Sequence, residues 1–294
     1  MTAIEVRDAS SLPQGVAPSA GRLRASDRLA IAGVALLLGF FVFLPLCSIA
    51  FEALRAGWPA AAATFANPDA RSAIALTGLA TAVTVVVNGA FGVLAGWTLT
   101  KYRFPGKALL LAIIDLPLTV SPVVAGLALL LCFGTNSPVG AWFAGHGWKI
   151  AFAPPGIILA TIFVTFPYVA RETIALMGES GSELEEAALG LGASLWQTFS
   201  WVTFPRARWA ILNGLLLCNA RALGEFGAVS VISGNIRGLT DTVPLHIDIL
   251  YNEDNLVGAF TLAGALALLV IGLTLVRSLI EAHHDPSTNA ETRR

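Results

Sequence analysis

Long runs without a charged residue alternate along this chain with short polar connectors, and that alternation predicts a bundle of membrane-crossing helices. Leu29 to Phe51 is a 23-residue charge-free run. At about 1.5 Å per residue it is long enough to cross about 30 Å of hydrocarbon. It follows a long polar lead and exceeds a signal-peptide core in length, so it reads as a retained first span. Ser72 to Thr100 predicts the second, long enough to span with tilt. Residues 116–134, 155–170, 209–233 and 255–276 predict the remaining four, and among the six only the fifth holds charged residues, Arg221 and Glu225. The fold class expected is therefore all-α, a polytopic membrane protein of six transmembrane helices. The membrane domain occupies residues 29–280. Polar tails flank it at 1–28 and 281–294, the first rich enough in Pro, Ser and Gly to read as disordered.

Composition sharpens this picture. The chain is 55% hydrophobic and 13% charged, against about 25% charged in a soluble domain. A net charge of −1 offers no basic surface for nucleic acid. Cys47, Cys132 and Cys218 lie far apart in apolar segments and read as small buried hydrophobes, with neither disulfide nor metal. There is no HExxH, paired CxxC or P-loop, and Gly106-Lys107 runs on to Ala108 without the upstream glycine of a phosphate cradle. No catalytic centre, metal site or bound cofactor is expected. Any ATP and magnesium that drive the protein sit on another chain.

Charge also sets the orientation. The N-terminal tail, the 101–107 and 171–208 loops and the C-terminal tail hold 13 of the 18 Lys and Arg, and the three opposite loops hold four. By the positive-inside rule both termini and the 171–208 loop are cytoplasmic. Trp142 and Trp148, before the fourth span, read as interface anchors. On the outer side, Thr242-Val243-Pro244 reads as the start of a short helix with Leu245, Ile249 and Tyr251 as its apolar stripe. His246 alone is evidence for neither a metal nor a proton relay.

The 180–208 loop is unusual for a membrane connector. Ser182-x-x-Glu185 and Ser194-x-x-Gln197 both read as capping boxes, and Glu183, Glu185 and Glu186 favour the positive end of a first turn. Gly190 and Gly192 break the first helix, and Pro205 ends the second. The spacing predicts helix, glycine turn, helix, with Trp196 and Phe199 exposed unless something covers them. A pair of surface helices resting in the headgroups would also satisfy this pattern.

Within the membrane, Arg221 and Glu225 stand one helical turn apart and can pair. Two readings stay open: a pair that neutralises itself for packing, or an Arg221 that lines an anion path while Glu225 holds it. Asp115-Leu-Pro-Leu-Thr-Val-Ser-Pro122 carries two prolines five apart, which predicts a surface helix to Asp115 with the span starting after it. Ser121 and Pro122 lie deeper and are candidates for lining a gate. Gly89, Gly92 and Gly96 predict a close helix-packing face.

Glu186-Ala187-Ala188, Gly192 and Val202-x-Phe204-Pro205 resemble the EAA–G–I–LP signature of ABC-importer permeases over twenty positions, with Val for Ile and Phe for Leu. Cys218 to Gly238 (CNARALGEFGAVSVISGNIRG), Pro244 to Glu253 and Asp115 to Gly126 resemble sulfate/thiosulfate permeases of the CysW type. Molybdate permeases share a similar core. The resemblance implies a type I ABC-importer permease fold in a bacterial inner membrane, with the 180–208 loop as coupling helix. It implies Glu186, Ala187, Ala188, Gly192 and Pro205 as the coupling residues. It also implies a heterodimer with a second permease, two ATP-binding subunits and an external sulfate-binding protein. A multispan enzyme and a passive channel are the rival classes. The four His form no cluster for the former, and the latter leaves the loop unexplained.

Overall fold

The computed structural model describes residues 25–179 and 181–284, and among these every regular element is helical. The chain divides into two units, residues 1–47 and 48–294. In the first, the described residues form most of α1 (Ala25–Leu54), with Pro45 inside the helix. Its most apolar 18-residue window has no buried residue. The expected tail through residue 24 lies outside the described residues, as does the C-terminal tail from residue 285.

In the second unit, α2 (Trp58–Ala66) leads into α3 (Pro68–Lys101). Pro68 suits the first helical turn, where its missing N–H would have no partner, and the Asn67 side chain accepts from the Asp69 N–H at 2.9 Å. The helix at the centre of the unit is α7 (Pro154–Glu179), half of whose most apolar window is buried. α3 packs against it through two of the three expected glycines, Gly92 and Gly96, while Gly89 faces Leu215. A β-carbon on Gly92 would lie 2.5 Å from Val169 Cγ1, and one on Gly96 would lie 2.4 Å from Thr173 Cγ2. Lipid tails are as apolar as leucine, so such close backbone approach is a main source of cohesion between membrane helices. Further along the same two helices, Ala80, Ile157, Ala160 and Val164 join Ala228, Val229, Ile232 and Leu245 in a buried cluster.

The predicted third span is not one helix. α4 (Lys107–Thr119) carries Asp115 and Pro117 inside it, and the chain turns through 110° before α5 (Pro122–Phe133). Ser121 is extended, as the residue before a proline tends to be, and Pro122 then starts a new helix. Twelve residues of α5 reach about 18 Å, too short to cross alone. Asp115 therefore does not mark a helix end; it sits on α4 and binds Arg171 of α7 at 2.6 Å.

After α6 (Pro138–Gly145) and α7 come α8 (Glu183–Gly190), α9 (Leu195–Thr198), a π-helical turn (Phe199–Thr203) and α10 (Phe204–Leu223). A 53° bend separates α10 from α11 (Gly227–Ser233), so the fifth span also begins earlier than expected and is broken. α12 (Val243–Asn252) and α13 (Leu256–His284) complete the unit. Among the described residues four helices are long and apolar enough to cross a membrane, and six spans result if each bent pair is one. α7 and α13 outrun their predicted spans, since helices continue past the hydrocarbon when their backbone bonds remain satisfied. Of the three cysteines expected inside, only Cys218 is buried; Cys47 and Cys132 are exposed on their helices, because an apolar membrane segment turns one face outward too.

Candidate functional site

Two regions gather the candidate residues. The first is the 180–208 loop. α8 forms with Glu183, Glu185 and Glu186 in its first turn, where the helix dipole favours them. The first capping box does not form. The Ser182 hydroxyl donates to Glu186 Oε1 at 2.5 Å and caps nothing, while Glu185 turns away to two other partners. Lys101, at the end of α3, approaches Glu185 Oε1 to 3.0 Å, and the Thr203 hydroxyl donates to the same oxygen at 3.2 Å. Burial pushes the Glu185 carboxyl up, but its bonds from Lys101, its own backbone N–H and Thr203, with the Lys101 charge, hold it below the usual range. The residue types alone favoured the box; a lysine 84 positions upstream overrode it.

Gly192 follows α8 with φ +89°, a left-handed backbone that only glycine adopts without cost. The second capping box does form, with Ser194 accepting from the Gln197 N–H at 3.2 Å and Gln197 accepting from the Ser194 N–H at 2.8 Å. Pro205 does not end the run. The helix widens through Phe199–Thr203, where the Phe204 N–H bonds Phe199 O, and continues into α10 with Pro205 in its first turn. The wide turn lets the chain accommodate a residue without an N–H and keep a helical course. Of the two aromatics expected on the surface, Trp196 is exposed, whereas Phe199 is covered by Trp97 of α3, ring centroids 5.0 Å apart. Glu186, Ala187, Leu189 and Leu191 are exposed, so α8 has one face bound to the bundle and one open.

The second region is where the two helix breaks meet. A β-carbon on Gly227 would lie 2.8 Å from Pro122 Cβ, and one on Gly126 would lie 2.6 Å from Ala228 O. Glu225 is buried at this junction. Its Oε1 accepts from the Ala228 N–H at 3.0 Å and so caps α11, while Oε2 lies 2.8 Å from Arg221 Nη1. The N–H of Arg221 is not aimed squarely at that oxygen, so this is an ion pair and not an aligned hydrogen bond. The expected one-turn pairing is present, and Arg221 keeps a third of its side chain exposed. Ser121 is exposed and makes no capping bond, and Pro122 is half-buried against α11.

On the opposite side, α12 starts after Thr242 as expected. Its inward face is Leu245, His246 and Leu250, whereas Tyr251 points out, so the expected stripe is rotated. His246 Nδ1 lies 2.8 Å from Asp241 Oδ2, a buried pair that holds the loop. The Arg237 guanidinium pairs with Glu253 and holds that exposed carboxyl below its usual range. Trp142 and Trp148 are exposed. Among the described residues no group of three His, Cys, Asp or Glu is placed to hold a metal.

The geometry is that of a bundle of apolar helices with an acidic helix, α8, braced on one face and open on the other. Residues 88–289 match the family described as the inner membrane component of binding-protein-dependent transport systems. The sulfate transport system permease protein CysW of Escherichia coli (strain K12) is 46% identical over 252 residues, covering 85% of this chain and 87% of that protein. The CysW protein of Synechocystis sp. is 42% identical, covering 87% and 94%. The CysT permease of Escherichia coli (strain K12) is 35% identical, covering 85% and 92%. A chain of a bacterial alginate ABC transporter, crystallised with its alginate-bound periplasmic protein, shares the fold at a TM-score of 0.70 and 16% identity, covering 88% of this chain and 95% of that one. The chain belongs to the family of inner-membrane components of binding-protein-dependent transport systems.

Proposed function

We propose that this chain is one permease of an ATP-driven importer for sulfate and thiosulfate. The observation that carries the reading is the 46% identity to a sulfate permease over most of both chains. The exposed Glu186 and Ala187 of α8, with Ala188 half-buried beside them, support the ATP-driven part. In this reading a second, related permease completes the pathway and an external binding protein delivers the anion. Two ATPase subunits, which carry ATP and magnesium, dock on α8 from the cytoplasm. The small side chains of Ala187 and Ala188 allow close approach, and Glu186 offers a carboxylate to a partner cation. Both termini are then cytoplasmic.

Arg221 serves the pathway as the cation that meets the anion, with Glu225 fixing its position. Arg221→Gln keeps a hydrogen-bond donor for Glu225, so assembly should survive while anion uptake falls by at least about tenfold, the loss of one charged contact. Failure of the variant to assemble would instead assign the pair to packing. Gly192→Leu strains the left-handed turn by about 1–2 kcal/mol, although no atom blocks the new side chain. Its expected result is substrate-stimulated ATP hydrolysis without matching uptake; normal values for both would remove the turn from coupling.

The test of the whole reading is uptake of radiolabelled sulfate into proteoliposomes holding the complete assembly, with molybdate and thiosulfate as competitors. Uptake should require ATP on the cytoplasmic side and fall with added thiosulfate. Uptake without ATP would refute the ATP-driven reading, and stronger competition by molybdate would reassign the substrate.

A further inference from the structure

α8 is hinged at both ends. Gly181 (φ +63°) precedes it and Gly192 (φ +89°) follows it, both left-handed turns with open space around the missing side chain. A helix joined to its neighbours only through such turns transmits little displacement along the backbone. What holds α8 to the bundle is a small, buried polar cluster. Lys101 Nζ donates to Gly181 O at 2.5 Å and lies 3.0 Å from Glu185 Oε1. The Thr203 hydroxyl closes the group from the end of the π-helical turn that leads into α10. The side chains of Lys101 and Glu185 are 11% and 9% exposed, so water and salt screen this pair far less than a surface pair. Three elements, α3, α8 and the π-helical turn that runs on into α10, therefore meet on one carboxylate. The neighbouring Glu186 faces out, with its Oε1 bonded by the Ser182 hydroxyl, while Glu185 faces in.

We propose that Lys101, Glu185 and Thr203 form the strut that carries movement of α8 into α3 and α10, acting as positioning residues for transport and not as contacts to the anion or to the ATPase. The inference rests on the importer reading. Lys101 stands 84 positions before Glu185, outside the signature that singled out the loop. Both helices that receive the strut lead to functional parts of the fold: α3 to the glycine seam on α7, and α10 to Arg221 and the break before α11.

The experiment uses the complete importer in proteoliposomes and reads three quantities: recovery of the ATPase subunit with the permease, substrate-stimulated ATP hydrolysis, and anion taken up per ATP. Glu185→Gln and Lys101→Met should each retain the ATPase subunit and hydrolysis. Uptake per ATP should fall about tenfold, within the range by which residues along a coupling route change coupling. The exchanged pair Lys101→Glu with Glu185→Lys should restore most of that ratio. An unchanged ratio in the single variants would overturn the proposal, as would parallel losses of assembly and uptake at constant ratio, or failure of the exchange to restore it. If the single variants do not accumulate, Thr203→Val, which leaves the ion pair in place, carries the test: its ratio should fall about threefold, and a ratio equal to wild type would overturn the proposal. Uptake by the unaltered assembly that ignores ATP would sink the importer reading itself, a result distinct from any difference among the variants.

Discussion

Gly92→Leu and Gly96→Leu should each lower the melting temperature of the folded bundle well below that of the unaltered protein. The new β-carbon at Gly92 would sit 2.5 Å from Val169 Cγ1, 2.8 Å from Val169 Cβ and 3.0 Å from its backbone carbon. At Gly96 it would sit 2.4 Å and 2.8 Å from Thr173 Cγ2 and Cβ. Neither neighbour is the far end of a flexible side chain, so α3 must move away from α7. Overpacking a close-packed core costs about 1–3 kcal/mol and sometimes more, and four side-chain carbons on this seam belong at the upper end. In a bilayer no gain in buried apolar area offsets the loss, because lipid already solvates the leucine. Gly78→Leu, with open space around it, is the matched control on the same helix. The measurement is thermal denaturation of the detergent-solubilised protein. If the Gly92 and Gly96 variants melt with the Gly78 control, the seam is not the tight contact described.

The second large effect belongs to Glu225. Glu225→Ala removes the cap of α11 and leaves Arg221 without its counter-ion at the junction of the two breaks. Stranding one partner of a buried pair costs about 3–5 kcal/mol. Because a third of Arg221 remains exposed, the expected cost lies near the lower end. Replacing both residues, Arg221→Leu with Glu225→Leu, should destabilise less than Glu225→Ala alone, since no charge is then stranded. A double-mutant cycle of Arg221→Leu, Glu225→Leu and the double variant reads the coupling, and additive effects would show that the two side chains do not act together.

The charge-free runs carried much of the fold. α1, α3 and α13 need only length and apolarity, and both are legible in one dimension. The Arg221–Glu225 pair and the Ser194 cap were legible for the same reason, because each closes within a single turn. What escaped were features decided by distant partners or by backbone geometry. Ser182 and Glu185 have the residue types of a cap, yet Lys101 and Thr203 compete for the glutamate and win. The prolines at 117 and 122 signalled a disturbance, but not that α4 would carry the first inside it and turn through 110° only at the second. Pro205 read as a stop because a π-helical turn leaves no compositional trace. Nor does any local pattern announce that the two breaks, more than a hundred positions apart, pack on each other through Gly227 and Pro122.

That widened turn at Phe199–Thr203 also fixes a rotation. One residue advances an α-helix by about 100° of azimuth, so the surplus residue dials Trp196 and Leu195 round the axis relative to everything after Phe204. Shortening this stretch by a single codon would preserve the apolar composition while pointing the amphiphilic prow of α9 at a different neighbour.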